Sequence, residues 1–184
     1  IEFAMARAKT DLRDNLPGDF LDKVGEDRIF ATLPTAVQAY LHSVSICSDE
    51  QRAGLFSDGF KRQLQGYSVH SVFDEHAANS PTDDPLSLIQ YLDMKTYLVG
   101  DILTKVDRAS MAHALEVRSP FLDHPLTEWV SGLPPAWKLR GQQGKYLLKK
   151  SLEPHLPHEV LYRDKMGFGV PLAFQLEAAD VALA

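Results

Sequence analysis

The sequence predicts a mostly α-helical fold, and three observations carry that expectation. Apolar residues recur at helical spacing in segment after segment, cap and breaker residues punctuate those segments, and a single short stretch reads as a strand. No internal repeat and no low-complexity segment interrupts the pattern.

Taken in order, residues 34–45 place Ala36, Val37, Tyr40, Leu41 and Val44 on one helical face. Ser48 and Asp49 cap a helix over 50–56, and Ser57 with Asp58 punctuates before another over 60–67. The run 67–73 is the one candidate strand. Residues 79–84 form a loop that ends on Asp84, an N-cap residue, followed by Pro85 at the first helical position. That pair launches a helix toward Tyr97, which Gly100 interrupts. A second helix is predicted over 101–116, ending ahead of the Ser119-Pro120 bend. A short helix near 126–131, a turn at Pro134-Pro135, a helix over 145–152 closed by Pro154 and Pro157, and a glycine-rich turn over 165–171 complete the chain.

The composition, 45% hydrophobic and 24% charged over 184 residues, is that of a soluble globular protein of one domain or slightly more. A formal net charge of -6 gives no global footprint for nucleic acid or an anionic membrane, so any phosphate site must be local. The sequence holds no apolar run of about eighteen residues and no signal-peptide pattern. Its one cysteine, Cys47, excludes an intrachain disulfide and fits a cytoplasmic setting. Within its polar Ser-Ile-Cys-Ser context Cys47 reads as a small, partly buried hydrophobe rather than a nucleophile. Residues 1–5, which contain the Glu-Phe pair of a common cloning site, read as an expression scar, and the chain as a piece of something longer. A helical layer without a convincing sheet points the same way.

Charge is densest in YLVGDILTKVDRASMAHALEVRSPFLDH, residues 97–124. Leu103, Val106 and Met111, with Ala109, Ala112 and Ala114, predict an apolar face for close helix packing. Asp101 and Lys105 form an acid-first i,i+4 pair, worth only about 0.2–0.5 kcal/mol, which does not explain the density of charge. Asp107 and Arg108 fall mid-helix beside the small residues, where a half-buried carboxylate needs a partner or ligand to offset desolvation. A structural ion-pair network and a ligand site both satisfy that requirement.

Two further segments, 138–145 and 163–171, join this one. In this order the three resemble the C-terminal part of the synthetase domain of glutamine-dependent asparagine synthetases. The likeness is closest to the family's D-x-L-x-K-x-D-R-x-S-M-A start and E-x-R-x-P-F-L-D finish, and it extends over about 91–171. It implies three stretches: the scar over 1–5, a helical segment of the synthetase domain over 6–90, and the motif-bearing part over 91–184. The implied architecture is the helical C-terminal portion of an α/β adenine-nucleotide-binding domain of the ATP-pyrophosphatase type.

The activity implied is ATP-dependent amidation of aspartate or a related carboxylate through an acyl-adenylate, releasing AMP and pyrophosphate. Ammonia from glutamine hydrolysis in a separate N-terminal domain is the amido donor. ATP and Mg2+ are the implied small molecules, a homodimer is a possible assembly, and relatives acting on other carboxylates serve polysaccharide-related pathways. Lys165, beside the Gly167-Phe168-Gly169 turn, matches the family lysine over the reacting phosphate, with Gly167 and Gly169 admitting close backbone approach. Asp101 and Asp107 match acidic positions that organise the lysine network, and Arg118 serves either the substrate carboxylate or the turn at Asp123. The family's Ser-Gly-Gly-x-Asp-Ser pyrophosphate loop, its upstream Gly-x-Asp-Glu segment and its glutaminase cysteine do not occur in the sequence, so the 184 residues alone are expected to be inactive. A free-standing helical interaction module without catalysis is the reading from another class.

Weaker constellations resolve more simply. Residues 141–145 lack the spacing and the Ser/Thr of a phosphate loop. His124, His155 and His158 read as structural or surface residues, and no metal site is expected. Trp129 and Trp137 read as core anchors around the Pro134-Pro135 turn. Lys145, Lys149 and Lys150 read as a solvated helix face.

Overall fold

A computed structural model describes residues 32–141 and 143–163. Helix α1 (Leu33–Val44) starts at Thr32, whose side chain accepts from the Thr35 N–H, with Pro34 in its first turn. Helix α2 (Asp49–Leu55) carries a full capping box, Ser48 to the Gln51 N–H and Gln51 back to the Ser48 N–H. Helix α3 (Asp58–Gln63) is capped by Ser57. Each lies within a few residues of the position its cap predicts.

The candidate strand over 67–73 is instead the start of helix α4 (Val69–Ala78). Ser68 accepts from the His70 N–H and so initiates a helix, and Val69, Val72 and Phe73 then fall at i, i+3 and i+4 toward the core. Over so short a window, apolar alternation and helical spacing coincide.

Helix α5 (Pro85–Lys95) is capped by Asp84, whose Oδ1 accepts from the Ser87 N–H at 2.7 Å. It packs against α1 and α4, which also pack on each other. Ala36, Ala39, Tyr40, Phe73, Leu88, Ile89 and Leu92 fill the space between the three helices. Tyr40 donates its hydroxyl hydrogen to the buried Asp93 Oδ1 at 2.7 Å, satisfying a carboxylate that would otherwise be costly to bury. The Tyr40 and Phe73 rings meet at 6.0 Å with a 56° tilt.

Beyond α5 the chain winds as a π-helix over Leu98–Leu103 and returns to α geometry in α6 (Thr104–Met111). The predicted helix over 101–116 is therefore short at its C-terminal end. It stops because Ala114 takes a left-handed φ of 55°, with the Ala114 N–H donating to Met111 O and the Leu115 N–H to Ser110 O at 3.0 Å. That is a Schellman termination with alanine in the usual glycine position.

A 3-10 turn (Pro120–Leu122) leads to α7 (His124–Ser131), capped by Asp123, and then to α8 (Pro135–Lys138). Two short strands not expected from the sequence follow. They are β1 (Leu139–Arg140) and β2 (Gln143–Gly144), paired antiparallel with Leu139 opposite Gly144. Helices α9 (Tyr146–Leu152) and α10 (His158–Leu161) end the described chain.

The molecule divides into two compact units after Leu147. The first holds the three-helix core and everything up to β2. In the second, Glu153 Oε1 accepts from Lys150 Nζ at 2.8 Å and from the Tyr162 hydroxyl at 2.6 Å. The lysine hydrogen bond, then the tyrosine, holds the Glu153 carboxyl below its usual value. Lys149 Nζ lies 5.3 Å above the Tyr162 ring, so Lys149 and Lys150 are engaged side chains rather than a purely solvated face. Among the described residues, no helix is long and apolar enough to cross a membrane.

Candidate functional site

The charge-dense segment is exposed along nearly its whole length. Only the π-helix rests on the core, through Leu98. From Thr104 to Phe121 all residues but Ser110 are exposed, and the predicted apolar packing face is therefore uncovered: Val106 and Met111 both open to solvent.

Within this surface Lys105 Nζ lies 2.6 Å from Asp101 Oδ1, and hydrogen bonding from that carboxylate raises the Lys105 pKa. Asp101 is half-buried at the edge of the π-helix. Asp107 is exposed, contrary to the expectation of a half-buried carboxylate, and among the described residues no ion pair engages it. Its burial was inferred from neighbouring alanines, which line solvent here rather than a helix interface.

Arg118 Nε donates to Glu116 Oε1 at 2.6 Å, so its partner in this structure is the glutamate two residues earlier rather than the Asp123 turn. Asp123 accepts from the Leu126 N–H at the start of α7. The motif thus mixes functions: its last acid is a helix cap, and its middle is a chain of exposed charges. Lys165, Gly167 and Gly169 lie outside the described residues, and the placement of Lys165 near Asp101 or Asp107 with them.

His124 Nε2 is 3.4 Å from Glu128 Oε1, one turn along α7, and the His158 ring stacks on Tyr162 at 4.4 Å. Among the described residues, no group of three His, Cys, Asp or Glu is placed to hold a metal ion. Cys47 is half-buried. Trp129 and Trp137 are corrected from core anchors to surface residues, 58% and 51% exposed. The proline turn lies between them, and among the described residues no further layer covers their rings.

Lys138 was missed by sequence reasoning. It is 2% exposed, and its ammonium donates to Gln90 Oε1 at 3.2 Å and to the Ser131 carbonyl at 3.0 Å. Burial pushes its pKa down, while the Asp84 carboxylate acts in the opposite sense. The signal available was its place in Ala-Trp-Lys-Leu, a lone charge in an apolar run. Lys138 ties α8 and the end of α7 to the core helix α5.

The charge-dense segment thus combines two ion pairs, Asp101–Lys105 and Glu116–Arg118, with an exposed and apolar-rich surface. Residues 10–182 match the family model described as asparagine synthase, and the chain belongs to that family. A Mycobacterium tuberculosis homologue among the glutamine-hydrolysing asparagine synthetases is 42% identical over 104 residues, 56% of this chain and 16% of its own. Asparagine synthetase [glutamine-hydrolyzing] 1 of Bacillus subtilis is 35% identical over 130 residues, 68% of this chain and 21% of its own. Asparagine synthetase [glutamine-hydrolyzing] of Gallus gallus is 34% identical over 146 residues, 77% and 25% respectively. The chain thus spans a quarter or less of the length of these relatives. No solved structure matches it.

Proposed function

We propose that this chain is the helical C-terminal portion of an ATP-pyrophosphatase-type synthetase domain in a glutamine-hydrolysing, asparagine synthetase-like amidotransferase. The observation that carries the reading is the row from the half-buried Asp101 to Asp123, exposed over most of its length, which keeps the family's charged residues outside the three-helix core. A packing relic would have no use for solvent-facing acids and bases in that order, which weighs against a bare interaction module.

In the proposed reaction a carboxylate oxygen of aspartate, or of a related acid, attacks the α-phosphorus of ATP. The bond to the β-phosphate oxygen breaks and pyrophosphate leaves. Ammonia nitrogen then attacks the acyl carbon, AMP departs, and the nitrogen loses a proton. Negative charge builds on the phosphates in the first step, so fixed cations and their organising acids lower its barrier. Lys165 supplies the cation, with Gly167 and Gly169 giving it room, and the Asp101–Lys105 pair and Asp107 organise the lysines around it. Arg118, released from Glu116, is the candidate contact for the substrate carboxylate. Mg2+, bound together with ATP, would add positive charge at the phosphates in that step.

The test is ATP–pyrophosphate exchange in the full-length synthetase. Loss of one preorganised electrostatic contact costs about 3–4 kcal/mol, so Lys165→Ala should slow exchange roughly a hundred- to thousandfold. Glutamine hydrolysis, in another domain, should be unaffected. Exchange within about threefold of the parent would remove Lys165 from the site.

A further inference from the structure

The helix carrying the motif is not continuous with α5 in α geometry. Between them the backbone widens into a π-helix over Leu98–Leu103, a rare form that favours functional sites. Its entry is regular, since the Gly100 N–H donates to Thr96 O at 2.8 Å and the Thr96 hydroxyl to Leu92 O at 2.7 Å. Its exit is not. The Thr104 N–H returns to Asp101 O, and the Thr104 hydroxyl reaches back five residues to donate to Val99 O at 2.9 Å.

Val99 itself is 55% exposed. What the hydroxyl adds is geometry: its bond to the Val99 carbonyl spans the exit of the wide turn, while Leu98 at its entry is buried. One residue accommodated in a wider turn rotates everything downstream by about 100°, its share of a 3.6-residue turn. The residues so rotated are Lys105, Asp107 and Arg108, and Asp101 lies inside the turn itself. Packing does not dictate the widening at Gly100, where an added Cβ would meet nothing within 4 Å.

We propose that Thr104 is a positioning residue, its hydroxyl locking the π-helix so that Asp101 in that turn and Lys105 and Asp107 on α6 stand at the relative rotation the adenylation site requires. The inference rests on the proposed function for its readout in activity, and on geometry alone for its readout in structure.

Thr104→Val keeps the shape and removes the donor, whereas Thr104→Ser keeps the donor. In the full-length synthetase, Thr104→Val should lower ATP–pyrophosphate exchange at saturating ATP about tenfold or more, with KM for ATP within about threefold. Thr104→Ser should stay within about threefold of the parent in both. A merely structural role would lower thermal stability without splitting rate from KM, and the serine variant would not restore the rate selectively. Amide hydrogen exchange over 98–104 supplies the second measurement, faster in Thr104→Val and parent-like in Thr104→Ser. Parent-like activity in Thr104→Val, or equal loss in both variants, overturns the inference. If the parent shows no exchange activity at all, the proposed function fails separately. The amide measurement then decides, and unchanged protection of 98–104 in Thr104→Val sinks the positioning role.

Discussion

At the scale of single residues, Lys138 shows how burial and charge compete. An ammonium inside the fold costs several kcal/mol unless its hydrogens are met, and here two neutral oxygens, from Gln90 and Ser131, accept from it. Lys138→Met removes the buried charge but strands those oxygens, at about 1–3 kcal/mol for each buried group left unpaired. The two effects oppose, so the pH trend is the sharper prediction. Because burial holds the folded-state pKa below the ordinary lysine value of 10.5, the folded chain binds fewer protons than the unfolded chain between those two values. Stability contributed at this position therefore rises as pH climbs through that window. The difference in urea midpoint between parent and Lys138→Met should move in favour of the parent from neutral pH toward pH 10. A difference that stays flat would show that Lys138 titrates as in the unfolded chain. None of this was legible beforehand, because a lysine's burial depends on α5 and α7 arriving from distant sequence.

At the scale of elements, what the sequence makes legible is whatever is decided locally. Ser48, Ser57 and Asp84 announce their helices because a side-chain oxygen two or three residues from an orphan N–H is a local event. The helix at Val69–Ala78 was hidden, since Val69, Val72 and Phe73 suit two periodicities and tertiary packing chose between them. The end of α6 was hidden for another reason: alanine, not glycine, occupies its left-handed terminator. Two opposite substitutions follow. Ala114→Gly relieves a φ of 55° and should stabilise the chain by about 1 kcal/mol, since left-handed geometry costs a side chain roughly 1–2 kcal/mol and glycine returns part of this in entropy. Gly100→Ala, in open space and without a positive φ, should stabilise by about 0.4–1 kcal/mol. Chemical denaturation measures both, and a loss of stability in either would mean that the backbone there differs from the geometry described.

At the scale of the whole molecule, the distribution of apolar surface is the dominant fact. The three-helix core is closed, yet Met111, Leu115, Val117, Phe121, Trp129 and Trp137 all stand open along the segment that carries the family motif. A tryptophan can bury about 150–250 Å², so two largely uncovered rings together with four further exposed apolar side chains leave apolar surface of the order at which soluble proteins associate. The 184-residue chain should accordingly self-associate, its sedimentation coefficient rising over a tenfold range of concentration, and a constant monomer value would count against an open face. The proposed function would give that face a cover in the full-length synthetase, since that reading sets the row of charges against the rest of its domain. Iodide, which reaches only exposed indoles, separates the cases. Trp129 and Trp137 are the only tryptophans in these 184 residues, so quenching of the chain under dilute, monomeric conditions reports that face alone. Replacing both rings by phenylalanine in the full-length synthetase should then leave its iodide-quenchable emission nearly unchanged, because covered indoles contribute little to it. Removal of a large quenchable fraction by that double substitution would place the face in solvent in the complete protein, and a partner other than its own domain would have to account for it.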